Sequence, residues 1–228
     1  MTFSIESWIP LYLEAVKQQF GSRIWFVGLQ GSYARQEATD QSDIDLVLIL
    51  DKVTADDLIT YSQLLDTLPH REKLCGFTAG REELAAWEPS DLFQLCQDTI
   101  PLVGSLKPIL DGISRQDVYR AIHTGVCNIY HICGHNLIHG KKLSTLKGCY
   151  KTACFTLQAI AYVQTGQYQR QKTALLPLLQ PKDSTILQTA ISMKKQETIS
   201  PAELTQLSGQ LLDWASGWMK QCAEVKET

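Results

Sequence analysis

Residues 26–50 read FVGLQGSYARQEATDQSDIDLVLIL, and the interpretation of this stretch decides the fold. An apolar run over 24–29 stops at a bend beginning with Gly31-Ser32, and a second apolar run, 44–50, carries Asp43 and Asp45 at its entrance. Side chains two residues apart on a strand share a face, so the two carboxylates stand a few ångströms from each other. Like charges that close repel unless a cation lies between them. Hard oxygen donors select Mg²⁺ or Mn²⁺, and Mg²⁺ is commonly held by one or two carboxylates with substrate phosphate oxygens completing its shell.

The bend offers a seat for those phosphates. A glycine after a strand lets backbone approach a ligand closely, Ser32 adds a hydroxyl, and residues 32–35 can open a short helix whose N–H groups point at an anion. Ten residues separate Ser32 from Asp43, enough for that helix and a return loop to bring bend and carboxylates together from adjacent strands. Gly31-Ser32, ten residues, then Asp43-Ile44-Asp45 resembles the signature of the DNA-polymerase-β-like nucleotidyltransferase superfamily. The longer string GSYARQEATDQSDIDLVL is similar to its small-molecule and minimal branches, the group that includes kanamycin and streptomycin adenylyltransferases. One departure is visible: relatives usually carry Gly where this chain has Gln36.

The resemblance implies a metal-dependent transfer of a nucleoside monophosphate, AMP first among them, from a nucleoside triphosphate to a hydroxyl, with release of pyrophosphate. Asp43 and Asp45 would be the catalytic metal ligands, for Mg²⁺ or Mn²⁺. Gly31 and Ser32 would hold the β- and γ-phosphates, with Arg35 as a further charge partner. Members of the superfamily normally add a third carboxylate on a later strand, as metal ligand or proton acceptor. The strand expected to carry it here reads Glu72-Lys73-Leu74-Cys75-Gly76-Phe77-Thr78, which is neutral in its middle; Glu72 is the first candidate and Asp98 the second. Lys151, with Lys147 on one face of a later helix, either contributes to a solvated basic face or contacts triphosphate or an anionic acceptor.

The rest of the chain sets the frame. Its 228 residues suffice for one large domain or two modest ones. A hydrophobic content of 44% against 20% charged residues describes an ordinary soluble protein, and a net charge of −3 argues against a nucleic-acid partner. There is no run of 18 apolar residues and no basic segment followed by an apolar core at the N-terminus, so neither a membrane span nor a signal peptide is expected. Seven cysteines without CxxC spacing, most of them among apolar neighbours, read as reduced, buried thiols of a cytoplasmic protein.

Periodicity orders the elements. A helical stripe over 5–20 (Ile5, Trp8, Ile9, Tyr12, Leu13, Val16, Phe20) ends at Gly21, with Pro10 placing its start nearer Trp8. An amphipathic helix follows over 54–68, a third strand over 73–78, a short helix over 81–87, and an ambiguous strand or helix over 91–98. The breaker-rich PLVGSLKP, 101–108, marks a domain boundary. Beyond it the pattern turns helical: a long helix capped by Ser114, a second stripe from Leu146 to Gly166, shorter helices over 172–179 and 183–194, and a final helix opened by Ser200-Pro201-Ala202-Glu203. The predicted class is α+β, with a small mixed-sheet nucleotidyltransferase domain over 1–108 and an all-helical bundle over 109–228 that faces the acceptor.

His123, His131, His135 and His139, with Cys127, recur at every fourth position of one helix. Each step drifts about 40° around the axis, so four ligands cannot converge from that row alone, and a polar helix face is the default over a zinc site. The acceptor expected is a hydroxyl-bearing small molecule such as an aminoglycoside or lincosamide-like antibiotic. Two alternatives stand beside it: transfer to a protein or RNA in a toxin–antitoxin-like system, and a catalytically weak nucleotide-binding regulatory module. No histidine follows Arg115, Arg120 or Arg170 at the spacing of the HEPN-type ribonucleases, so the bundle is not expected to be a ribonuclease. An oligomer is compatible with the sequence.

Overall fold

The computed structural model describes residues 3–225 and divides into two units. The first contains the residues up to Glu88 together with Leu95–Gly112, and the second contains Pro89–Gln94 together with the residues from Ile113 onward. The main division thus falls at 112/113, where the sequence had suggested 108/109, and the short piece 89–94 goes with the helical unit.

The first unit is built on the four strands β1 (Ile24–Gln30), β2 (Ile44–Leu50), β3 (Leu74–Gly80) and β4 (Ile100–Val103), in the order β3-β2-β1-β4. β1 runs antiparallel to β2 and β4, whereas β2 and β3 are parallel. Cys75 does not meet the expectation of buried thiols: it is exposed, because β3 lies at the edge of the sheet. A strand paired on both edges and covered on both faces needs a continuous apolar run, and β2, IDLVLIL, is buried at every position but Asp45. Helix α1 (Ile5–Phe20) lays Trp8, Tyr12, Val16 and Phe20, four residues apart, into the cluster formed with Val27, Leu29, Ile44, Leu46, Leu48 and Leu50. Its start lies at Ile5, earlier than Pro10 suggested, because Ser4 caps it by accepting from the Ser7 N–H. Pro10 is exposed inside the helix, where the backbone bond it forgoes faces water.

Four further helices belong to this half of the chain: α2 (Gly31–Ala34), α3 (Ala55–Asp66), α4 (Arg81–Ala85) and α5 (Pro89–Asp98), followed after β4 by α6 (Lys107–Leu110). α3 makes the crossover between the parallel strands and begins in a capping box of Thr54 and Asp57. Asp57 is clamped by Arg23, at 2.6 Å and 3.0 Å, and the same guanidinium reaches Asp51 at 3.1 Å. The segment 91–98 resolves as helix, with Pro89 in its first turn. β4 was not foreseen: it lies inside the breaker-rich stretch, and Pro101 is tolerated because β4 pairs on one side only, at the sheet edge.

The second unit packs α7 (Arg115–His135), α8 (Leu143–Thr165), α9 (Lys172–Leu175), α10 (Pro181–Met193) and α11 (Pro201–Val225). Ser114 and Asp117 form the capping box of α7, and Gly166 closes α8 in the left-handed conformation. The apolar stripe of α7 (Val118, Ile122, Val126, Ile129, Cys133) meets that of α8 and the Leu204, Leu211, Ala215 and Trp218 face of α11. Inside this core, Asp183 is fully buried and accepts the indole N–H groups of Trp214 and Trp218, both at 2.8 Å.

Candidate active site

The bend and the two aspartates occupy neighbouring ends of antiparallel strands. Gln30, the last residue of β1, pairs with Asp45 of β2, so the chain leaves β1 beside that carboxylate. Gly31 takes up φ 69°, and a Cβ built on it would lie 1.8 Å from Asp45 Oδ2. Only glycine satisfies the positive φ and leaves room for the carboxylate. The strand register therefore brings Gly31 and Asp45 into contact. Ser32 follows in the first turn of α2, which no side chain caps. Gln30 is turned away from that end, donating instead to the Leu95 carbonyl at 3.1 Å and the Thr99 hydroxyl at 2.7 Å.

Asp43 is exposed and immediately precedes β2, and Asp45 is half-buried as its second residue. The loop that delivers Asp43 is pinned at two points. Thr39 and Ser42 bond each other, Thr39 N–H to Ser42 Oγ and Ser42 N–H to the Thr39 carbonyl, both at 2.9 Å. The Lys73 ammonium donates to the Asp40 carbonyl and stands over the Phe3 ring, which meets Tyr33 of α2 edge-on at 5.8 Å. Lys73 was read from the sequence only as the start of a strand; its reach across to the loop depends on β3 lying beside β2, which no local pattern reveals.

The remaining sequence candidates are placed as follows. Arg35 is largely buried beneath the bend, 3.5 Å from Asp98 and 3.7 Å from Glu37, so its charge is already engaged by carboxylates. Asp98, at the end of α5, is buried and committed to that pair. Glu72 sits in a 3₁₀ turn before β3, with 71% of its side chain exposed and His70 at 3.6 Å. Lys151 lies in the second unit, exposed on α8. Among the described residues no group of three or more His, Cys, Asp or Glu is positioned to hold a metal ion. The donor set at the bend is thus two carboxylates, which suits a hard cation that takes its other ligands from a polyphosphate and from water. The residues fit such a cation: a carboxylate oxygen seated against glycine backbone leaves one anionic wall beside a place for phosphates.

Gln36 ends the helical turn with φ 58°, a left-handed conformation. Such a backbone favours glycine, so Gln36 occupies a conformation that costs a side chain. No described helix is long and apolar enough to cross a membrane.

Comparison with known proteins bears on the domain and the fold. Residues 9–94 match the family model of the nucleotidyltransferase domain. No curated protein sequence matches the chain. Among solved structures, spectinomycin adenyltransferase AAD(9) from Enterococcus faecialis, solved with ATP and spectinomycin, is similar over 91% of this chain and 99% of that one, with TM-score 0.58 and 13% identity. A nucleotidyltransferase-like protein from Exiguobacterium sibiricum 255-15 is similar over 93% of this chain and 75% of that one, with TM-score 0.35 and 10% identity. Nucleotidyltransferases of this kind use a nucleoside triphosphate and a divalent metal ion. Residues 9–94 are thus a nucleotidyltransferase domain, and the fold over most of the chain is one it shares with an adenyltransferase.

Proposed function

We propose that the chain transfers AMP from ATP to a hydroxyl group of a small molecule, releasing pyrophosphate, with Asp43 and Asp45 holding Mg²⁺ or Mn²⁺. The observation that supports this reading is the close approach of Gly31 to the Asp45 carboxylate, with the Gly31-Ser32 bend and that aspartate at neighbouring strand ends. The acceptor oxygen attacks the α-phosphorus, the bond from that phosphorus to the bridging oxygen breaks, and pyrophosphate carries the displaced electron pair away. Bound there, the cation offsets charge on the phosphate oxygens. Gly31 and Ser32 orient the β- and γ-phosphates, and the pinned loop 39–43 fixes Asp43 relative to Asp45.

ATP and a small hydroxylated acceptor are favoured by the full-length similarity to a spectinomycin adenyltransferase solved with both classes of ligand. Arg35 serves this site by bracing the helical turn against Asp98, a supporting role in place of direct phosphate contact. A pyrophosphate-release assay over the four nucleoside triphosphates and a panel of hydroxylated acceptors, antibiotics included, tests the reading. Metal-dependent release with ATP and at least one acceptor supports it, and absence of release with every pair sinks it.

A further inference from the structure

β3 lies parallel to β2 with Asp45 in register with Cys75. Residues in register on adjacent parallel strands project to the same face, about 4.8 Å apart along the hydrogen-bonding direction. The neighbour of Asp45 on β3 is therefore a cysteine, and β3, at the edge of the sheet, leaves it exposed. The acids that might have supplied a third carboxylate are engaged elsewhere: Glu72 projects into solvent beside His70, and Asp98 is buried against Arg35.

Building on the function proposed above, we infer that Cys75 occupies the third donor position of this site. The cation is then held by Asp43, Asp45 and the nucleotide alone, and metal affinity depends on the triphosphate. No carboxylate of β3 receives the proton of the attacking hydroxyl, so that proton leaves to the acceptor's own basic group, to solvent or to a residue outside β3. The Cys75 side chain puts polarisable sulfur beside Asp45 where a carboxylate would add an oxygen ligand. Introducing an acid at this position builds the missing ligand.

The experiment measures Mn²⁺ binding, by electron paramagnetic resonance, to the full chain with saturating α,β-methylene-ATP, for the native protein and for Asp45→Asn, Cys75→Asp and Cys75→Glu. At least one of the Cys75 variants is expected to bind Mn²⁺ about tenfold tighter, equivalent to about 1.4 kcal/mol. In parallel, maleimide alkylation of the native chain, read by peptide mass spectrometry, follows Cys75, which is the one exposed thiol among the described residues. Its modification should slow several-fold when Mn²⁺ and the analogue are added together. If native binding is lost in Asp45→Asn while neither acidic variant binds tighter, or alkylation of Cys75 is unaffected by Mn²⁺ and analogue that are demonstrably bound, the inference about Cys75 fails and the proposed function stands. If the native chain binds no Mn²⁺ with the analogue, or Asp45→Asn binds as well as native, the proposed function itself falls, and the inference with it.

Discussion

Asp45 is half-buried against Gly31, and this contact makes two substitutions informative for different reasons. Asp45→Ala removes a carboxylate while leaving the strand backbone intact, so metal-dependent pyrophosphate release should fall to background with the far-ultraviolet spectrum unchanged; retained turnover would refute the ligand assignment. Gly31→Ala adds a methyl 1.8 Å from Asp45 Oδ2 at φ 69°. It should lower stability by at least about 1 kcal/mol through backbone strain, and displace the carboxylate as well. Gln36 gives the opposite sign. At φ 58° a side chain costs about 1–2 kcal/mol, from which the unfolded-state entropy of glycine subtracts about 0.5–1 kcal/mol. Gln36→Gly is therefore expected to stabilise by about 0.5–1 kcal/mol, visible as a higher urea midpoint at unchanged slope. An unchanged or lower midpoint would show that the Gln36 side chain contributes more than its backbone costs.

At the level of elements, two polar clamps join segments that sequence periodicity can delimit but cannot pair. In the helical unit, Asp183 Oδ1 accepts two indole N–H groups from α11, while Oδ2 is buried with no hydrogen-bond partner among the described residues. Asp183→Ala leaves two buried donors unsatisfied and should cost about 2–5 kcal/mol. Asp183→Asn keeps one accepting oxygen and should cost clearly less; equal losses would mean that the carboxylate charge, rather than the accepting oxygen, matters. In the sheet unit, hydrogen bonds from Arg23, then from the Thr54 backbone and hydroxyl, hold the Asp57 carboxyl well below its ordinary range. A depressed folded value places the pair's stabilisation fully above the unfolded carboxylate pKa of about 3.9 and withdraws it as pH falls toward the folded value. Asp57→Asn should flatten acid unfolding below about pH 4, measured by circular dichroism. The helices that bear these clamps were legible because their signals are local: the stripe from Val118 to Cys133, the cap at Ser114, the stop at Gly166. β4 was not, since four residues containing a proline become a strand only through pairing with β1. The same holds for Cys75, Lys73 and Arg35, whose roles depend on which strand or helix lies alongside.

Across the whole molecule, a nucleotide and its cation should act as a ligand of the folded state. Asp43 and Asp45 carry like charge at the mouth of β2, and binding a divalent cation with a triphosphate should relieve their repulsion. A ligand that binds only the folded chain stabilises it by about 2.7 kcal/mol at a hundredfold excess over its dissociation constant. Mg²⁺ with ATP should therefore raise the unfolding temperature, whereas either component alone should raise it less, because two carboxylates bind Mg²⁺ weakly without phosphate oxygens and the triphosphate meets an anionic pair without metal. The increment should vanish in Asp43→Ala and Asp45→Ala, and removal of metal by a chelator should reverse it in the native chain. A shift that survives loss of either aspartate would place the nucleotide away from the Gly31 bend. An equal shift from ATP without metal would mean that its phosphates are held by cationic groups instead of a shared cation.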